Sequence, residues 1–295
     1  MVYIIYMNLL SIILLSFTKA DNVYVILGGS SATNNNNFTN YTSTNGVYSY
    51  DFKNSHWETA KNPMPGGQGN GSSIWPLLGD LLYKHNSSIY FYDCARLGAN
   101  ITDWGIGGKF YNTSNYCFDL ANKFIIDKNI EKFNVLWQEG PQDNVYSYNS
   151  NYFINTMENL IYRSGENAMW FISIYTYGYT YTNYRFDKAE DIIYLISNNN
   201  NVFLGANLDT DCIGLYPFTS VKLITISNLW YTSIINKIKT YDVYNIFYEC
   251  FDIKFNFSDI LLSVSIIFIA ISLLCGGLYS YRYYQRRKEY IRLST

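Results

Sequence analysis

Histidine is almost missing from this sequence. Two occur in 295 residues, His56 and His85, so imidazole acid–base catalysis and His-rich metal centres have little material to draw on. Charge is scarce as well: Asp, Glu, Lys and Arg make up 15%, with 21 basic against 23 acidic side chains and a net charge of -2. That near-balance argues against a nucleic-acid binder, which normally carries a basic face. Hydrophobic residues, by contrast, reach 48%, which supplies enough apolar surface for a large core and argues against global disorder. The 31 tyrosines belong to an Asn, Tyr, Ile and Phe bias that carries no functional weight, since an AT-rich coding sequence would enrich these residues in any protein.

Two apolar segments bear on the compartment. Residues 1–20 hold an apolar stretch from Leu9 to Phe17, followed by Thr18 and Ala20 as small residues before Asp21, and read as a secretory signal peptide without the usual charged start. Ile260 to Tyr279 carries no charge and has the length of about 20 residues needed to cross a bilayer core of about 30 Å. Arg282, Arg286, Arg287 and Lys288 follow it, so the positive-inside rule puts the tail at 282–295 in the cytoplasm and residues 21–259 outside or in the lumen. A buried core helix is the alternative for 260–281. The expected organisation is therefore a signal peptide (1–20), an ectodomain (21–245), a membrane-proximal stalk (246–259), a transmembrane helix (260–281) and a short tail, in a plasma or secretory-pathway membrane.

Seven sequons, at Asn37, Asn40, Asn70, Asn86, Asn100, Asn112 and Asn256, all fall in the part placed outside. So do Cys94, Cys117, Cys212 and Cys250, an even set that favours two disulfides in an oxidising compartment. Of three possible pairings, locality favours Cys94 with Cys117 and Cys212 with Cys250. Cys275 lies within the predicted span.

Short β-branched or aromatic runs at Val23–Leu27, Ser88–Asp93, Phe133–Trp137, Met169–Tyr175 and Val202–Gly205 predict strands. Helices are predicted between them at 73–82, around 119–126, at 152–163, at 187–196 and at 219–238, with Phe153, Met157, Leu160 and Ile161 at helical spacing. Alternating strands and helices point to a central parallel sheet covered on both faces, a three-layer α/β sandwich whose ligand site lies at the carboxyl ends of the strands.

Several landmarks fall at those strand ends in order: Gly28-Gly-Ser-Ser31, Gly71-Ser-Ser-Ile-Trp-Pro76, Asp93-Cys-Ala-Arg-Leu-Gly-Ala-Asn-Ile-Thr-Asp-Trp104, Leu136-Trp-Gln-Glu-Gly-Pro-Gln-Asp143 and Asp209-Thr-Asp211. The series resembles the conserved blocks of SGNH hydrolases, in particular the sialate O-acetylesterases and related carbohydrate esterases, over about residues 22–240. The resemblance implies a flavodoxin-like α/β fold and ester hydrolysis with neither cofactor nor metal. Ser30 maps to the nucleophile and Gly98 to a backbone oxyanion donor. Such chemistry also needs a base for the serine proton, a group orienting that base, and further donors for the oxyanion.

Two departures follow. At the side-chain oxyanion donor the sequence has Glu139, and an ionised carboxylate only accepts hydrogen bonds. The family's closing Asp-x-x-His has no counterpart: no histidine follows His85, and reading Asp209-Thr-Asp-Cys212 as the motif puts a cysteine in its place. Gln138 or Gln142 could swing in as a donor, though adjacent residues in an extended segment face opposite ways. The expected function is a single-pass type I membrane glycoprotein with an esterase-like ectodomain, impaired in turnover, that binds an O-acetylated glycan or a protein partner. The alternatives are an active O-acetylesterase using Ser30 with an unrecognised base, and a glycosyltransferase holding metal on Asp209 and Asp211. Trp104 and Trp137 are potential stacking surfaces for a sugar, with core packing as the plainer reading.

Overall fold

The structure is a computed structural model of the chain and describes residues 21–37, 40–85, 87–139, 149–176, 186–209 and 217–239. Its elements, in order, are β1 (Asp21–Gly28), β2 (Val47–Asp51), β3 (His56–Thr59), α1 (Trp75–Tyr83), β4 (Ser88–Asp93), α2 (Ile101–Trp104), α3 (Tyr111–Lys128), β5 (Phe133–Gln138), α4 (Ser150–Ser164), β6 (Ala168–Ile174), α5 (Phe186–Asn198), β7 (Val202–Asn207) and α6 (Ser220–Asn236).

The seven strands form one sheet in the order β3-β2-β4-β1-β5-β6-β7. All pairings are parallel except β2 with β3. The central strands are apolar on both faces because helices cover both: all six residues of β5 are buried, as are the last six of β1. On one side α1 and α6 pack together, their Trp75 and Trp230 rings 5.8 Å apart. On the other, α3, α4 and α5 close over a cluster that includes Val23, Val25, Leu27, Phe118, Met157 and Trp170.

The expectation of a purely parallel sheet is corrected at one edge. The hairpin β2–β3 was not among the predicted strands, and it adds one antiparallel strand. Its two strands are short, and β3 is too polar to stand out as a buried run, its four residues all being exposed or half-exposed. Helix α3 begins eight residues before the predicted 119, because Asn112, Thr113, Ser114 and Asn115 have weak helix propensity and hide its first turn. Its buried Ser114, Cys117, Phe118, Ala121 and Ile125 nevertheless repeat at helical spacing.

The Cys94–Cys117 disulfide is present, tying the end of β4 to α3. Cys212, Cys250 and Cys275 lie outside the described residues, as do the signal peptide, the stalk, the predicted span at 260–281 and the tail. Among the described residues no helix is long and apolar enough to cross a membrane. Asn37, Asn40, Asn70 and Asn112 are exposed, Asn100 is half-buried as the cap of α2, and Asn86 and Asn256 are outside the described set.

Candidate functional site

The carboxyl ends of five adjacent parallel strands bring together residues far apart in sequence. β1 ends at Gly28, whose φ of +124° and contact with the next strand admit no side chain: a Cβ would collide with the Gln138 carbonyl oxygen. The chain then turns through a single 3-10 turn, Ser30–Ala32. That turn is held from several directions. Gln138 donates from Nε2 to the Ser31 carbonyl at 2.6 Å, Trp75 donates to the Ala32 carbonyl at 2.7 Å, and Thr33 donates its hydroxyl to the Ser30 carbonyl at 2.8 Å. Ser31 donates its own hydroxyl to the Glu139 carbonyl.

Beside it, the loop after β4 carries Gly98 with φ +73°, and its N–H donates to Ser30 Oγ at 2.8 Å. The two positions picked from sequence as nucleophile and backbone donor are thus in direct contact, with Ser30 2% exposed. Gln68, unmarked in the sequence reading, sets this contact up. Its side-chain oxygen accepts from the Leu97 N–H at 2.8 Å, while its carbonyl accepts from the Asn34 N–H at 2.8 Å, so one residue links the serine segment to the Gly98 loop.

Gln138 is not free to swing in as a donor. Its Oε1 accepts from Trp230 Nε1 at 2.6 Å and its Nε2 is spent on Ser31. Glu139 is buried, and its carboxylate meets Lys188 Nζ of α5 at 2.5 Å, both side chains essentially without solvent exposure. The carboxylate that stands at the side-chain donor position is therefore charge-compensated. Lys188 also donates to the Tyr175 carbonyl at 3.3 Å. It escaped the sequence reading, although a signal existed: Lys188 lies four, seven and eight residues before the buried Ile192, Leu195 and Ile196, in register with the apolar stripe of its helix.

Asp209 follows β7 and spends both carboxylate oxygens on Thr176, accepting from its N–H at 3.0 Å and its hydroxyl at 2.7 Å. Burial raises its pKa to about 6 against the opposing effects of the Thr176 hydrogen bonds and Lys188. Asp209, 3% exposed, clamps the two strand ends together; Asp211, the other member of the metal pair read from the sequence, lies outside the described residues. At the end of β4, Asp93 is fully buried, and its pKa rises to about 7 because desolvation outweighs the Ala95 N–H and Arg96. Trp104 and Trp137 are 1% exposed and stack edge to face on each other at 5.8 Å, so both belong to the core and neither offers a face to a sugar.

The two histidines are elsewhere. His56 opens β3 and sits 3.1 Å from Glu58, while His85 contacts the Tyr231 hydroxyl at 2.7 Å. Both are exposed, and His56 is a strand residue. The site therefore presents a hydroxyl and one backbone donor, with a neutralised carboxylate behind them. No three-donor metal group forms at these strand ends among the described residues.

No protein-family model matches the chain, and no curated protein sequence does. Among solved structures it is similar to a protein from Arabidopsis thaliana, with a TM-score of 0.57 at 15% identity, covering 74% of this chain and 99% of that one. A family two carbohydrate esterase from Clostridium thermocellum aligns at a TM-score of 0.43 and 16% identity over 75% of this chain and 66% of its own. A lipase/acylhydrolase from Enterococcus faecalis aligns at 0.36 and 12%, over 74% and 98%. At these identities the likeness is one of fold: the chain shares the α/β architecture of the Arabidopsis protein, and its strand order and serine turn are consistent with the SGNH-hydrolase-like fold that its sequence blocks resemble.

Proposed function

We propose that this chain is a single-pass type I membrane glycoprotein of the cell surface or secretory pathway. Its esterase-like ectodomain has lost turnover and binds an O-acetylated glycan or a protein partner. One arrangement supports the loss: Ser30 keeps its Gly98 donor, while the only two imidazoles of the chain are engaged with Glu58 and Tyr231. A serine hydroxyl that no imidazole serves is a weak nucleophile at neutral pH, and a positioned general base contributes about 10²- to 10⁴-fold to such reactions. The buried pairing of Glu139 with Lys188 supports the same reading, because a carboxylate stands where the resemblance implies a hydrogen-bond donor.

The test is hydrolysis of 4-nitrophenyl acetate and of an O-acetylated sugar by the purified full chain in detergent, beside Ser30→Ala. The expected result is a slow rate that Ser30→Ala, His56→Ala and His85→Ala leave within about threefold, below the range of about 1 to 10³ s⁻¹ typical of enzymes. Ser30-dependent hydrolysis within that range would replace this reading with that of an active O-acetylesterase.

A further inference from the structure

The β2–β3 hairpin carries three donor side chains on one face. Asp51 and His56 are directly opposed across the antiparallel ladder, and Glu58 lies two residues beyond His56, so all three project to the same side of the ribbon. The alternate residues, Tyr50 and Trp57, turn to the other side, where their rings meet at 5.2 Å and Trp57 packs on Tyr92 and Phe124. The backbone beneath the three donors is thereby anchored to the aromatic edge of the core, and the donors are left on the accessible face, with the His56 side chain 52% and the Glu58 side chain 29% exposed.

One ligand atom from each of Asp51, His56 and Glu58 lies within 4.8 Å of the other two, and His56 Nε2 is already 3.1 Å from Glu58 Oε1. A tetrahedral zinc ion with ligands at 2.0–2.2 Å spaces its donors about 3.4 Å apart, so side-chain rotation alone closes the set. Each carboxylate has coordination capacity left. Asp51 Oδ1 accepts from the Lys53 and Asn54 N–H groups of the turn, whereas Oδ2 accepts only the Asn54 amide among described contacts. Glu58 Oε2 faces Lys61 at 3.4 Å in an exposed ion pair, which is weak and readily exchanged.

We propose that Asp51, His56 and Glu58 form a surface site for one divalent transition cation of the zinc type, completed by water. The donor chemistry selects the class: an imidazole nitrogen with two carboxylates suits zinc and its neighbours, whereas magnesium and calcium prefer all-oxygen sets. The ion bridges β2 to β3 at the turn end of the hairpin, where Asp51 and His56 form the last pair of the ladder, and fastens the edge strand of the sheet. The site is independent of Ser30 and of the catalytic reading.

The experiment is a zinc titration of the purified full chain in detergent, with free thiols alkylated, against a chromogenic competitor chelator. One zinc per chain is expected to bind, unaffected by millimolar magnesium and by His85→Ala. His56→Ala is expected to remove it and Glu58→Gln to weaken it at least tenfold. Asp51→Asn, which keeps the amide oxygen as the turn's acceptor while removing the charge, controls for folding and is expected to weaken binding with an unchanged circular dichroism spectrum. Absence of zinc binding, retention of wild-type affinity in His56→Ala, or loss through His85→Ala alone would overturn the site.

Discussion

Lys188 Nζ lies 2.5 Å from Glu139 Oε2, and neither side chain reaches solvent. The pair joins the first turn of α5 to the end of β5, directly behind the serine turn. Two desolvated charges are tolerated only as partners, and breaking such a pair from one side typically costs about 3–5 kcal/mol. Lys188→Met is therefore expected to destabilise the domain by that amount, and Glu139→Gln by less, since an amide still hydrogen-bonds an ammonium. The double variant should lose less than the sum of the two. Chemical denaturation of all four proteins measures the coupling; additive losses would mean that the two groups do not act as a pair.

Two buried acids set the pH dependence. Asp93 and Asp209 have pKa values raised to about 7 and about 6 from 3.8, chiefly by desolvation. A raised acid binds its proton more tightly in the folded state, so its contribution to stability is complete below about pH 4 and is lost as the pH climbs through the folded pKa. Each group then lowers stability with a limiting slope of about 1.4 kcal/mol per pH unit. Unfolding midpoints are expected to fall between about pH 4 and about pH 7 and to level off above that, and Asp93→Asn should flatten the upper part of that decline. A midpoint that rises across this range in the wild type and is unmoved by Asp93→Asn would contradict the assignment.

The Cys94–Cys117 disulfide closes a loop of 23 residues in sequence between β4 and α3, spanning the Gly98 donor. Removing a cross-link of that length should cost about 3 kcal/mol. The double Ser variant is expected to show that loss, and non-reduced peptide mapping should recover the Cys94–Cys117 peptide pair. The same map tests the remaining expectation, Cys212 joined to Cys250.

Topology is open to a direct measurement. With residues 21–259 lumenal, the ectodomain in sealed microsomes should resist added protease and carry mass removable by an N-glycosidase. The exposed Asn37, Asn40, Asn70 and Asn112 are the first positions to examine for glycan. Digestion of the ectodomain from the cytosolic side would reject the type I arrangement.

What the amino-acid sequence determined by itself was local and ordered. Runs such as Val23–Leu27 and Phe133–Trp137 were legible as strands because both faces are buried and the apolar pattern is unbroken. Ser30 and Gly98 were legible only through the ordered blocks that resemble those of SGNH hydrolases, since the Gly28-Gly-Ser-Ser31 stretch by itself reads as a plain turn. The edge hairpin was not, since a strand of four largely exposed residues carries no apolar run to detect. Nor was the environment of Glu139. Whether a carboxylate repels or is neutralised depends on what lies opposite it, and Lys188 is 49 residues away, brought there only when α5 packs on the sheet. Trp104 and Trp137 make the same point: an aromatic ring near a strand end is a binding surface or a core residue according to which neighbours cover it, and here each covers the other. Tertiary structure decided those matters because burial, and with it the energy of every charge and ring at the site, is a property of the packed chain and not of any segment of it.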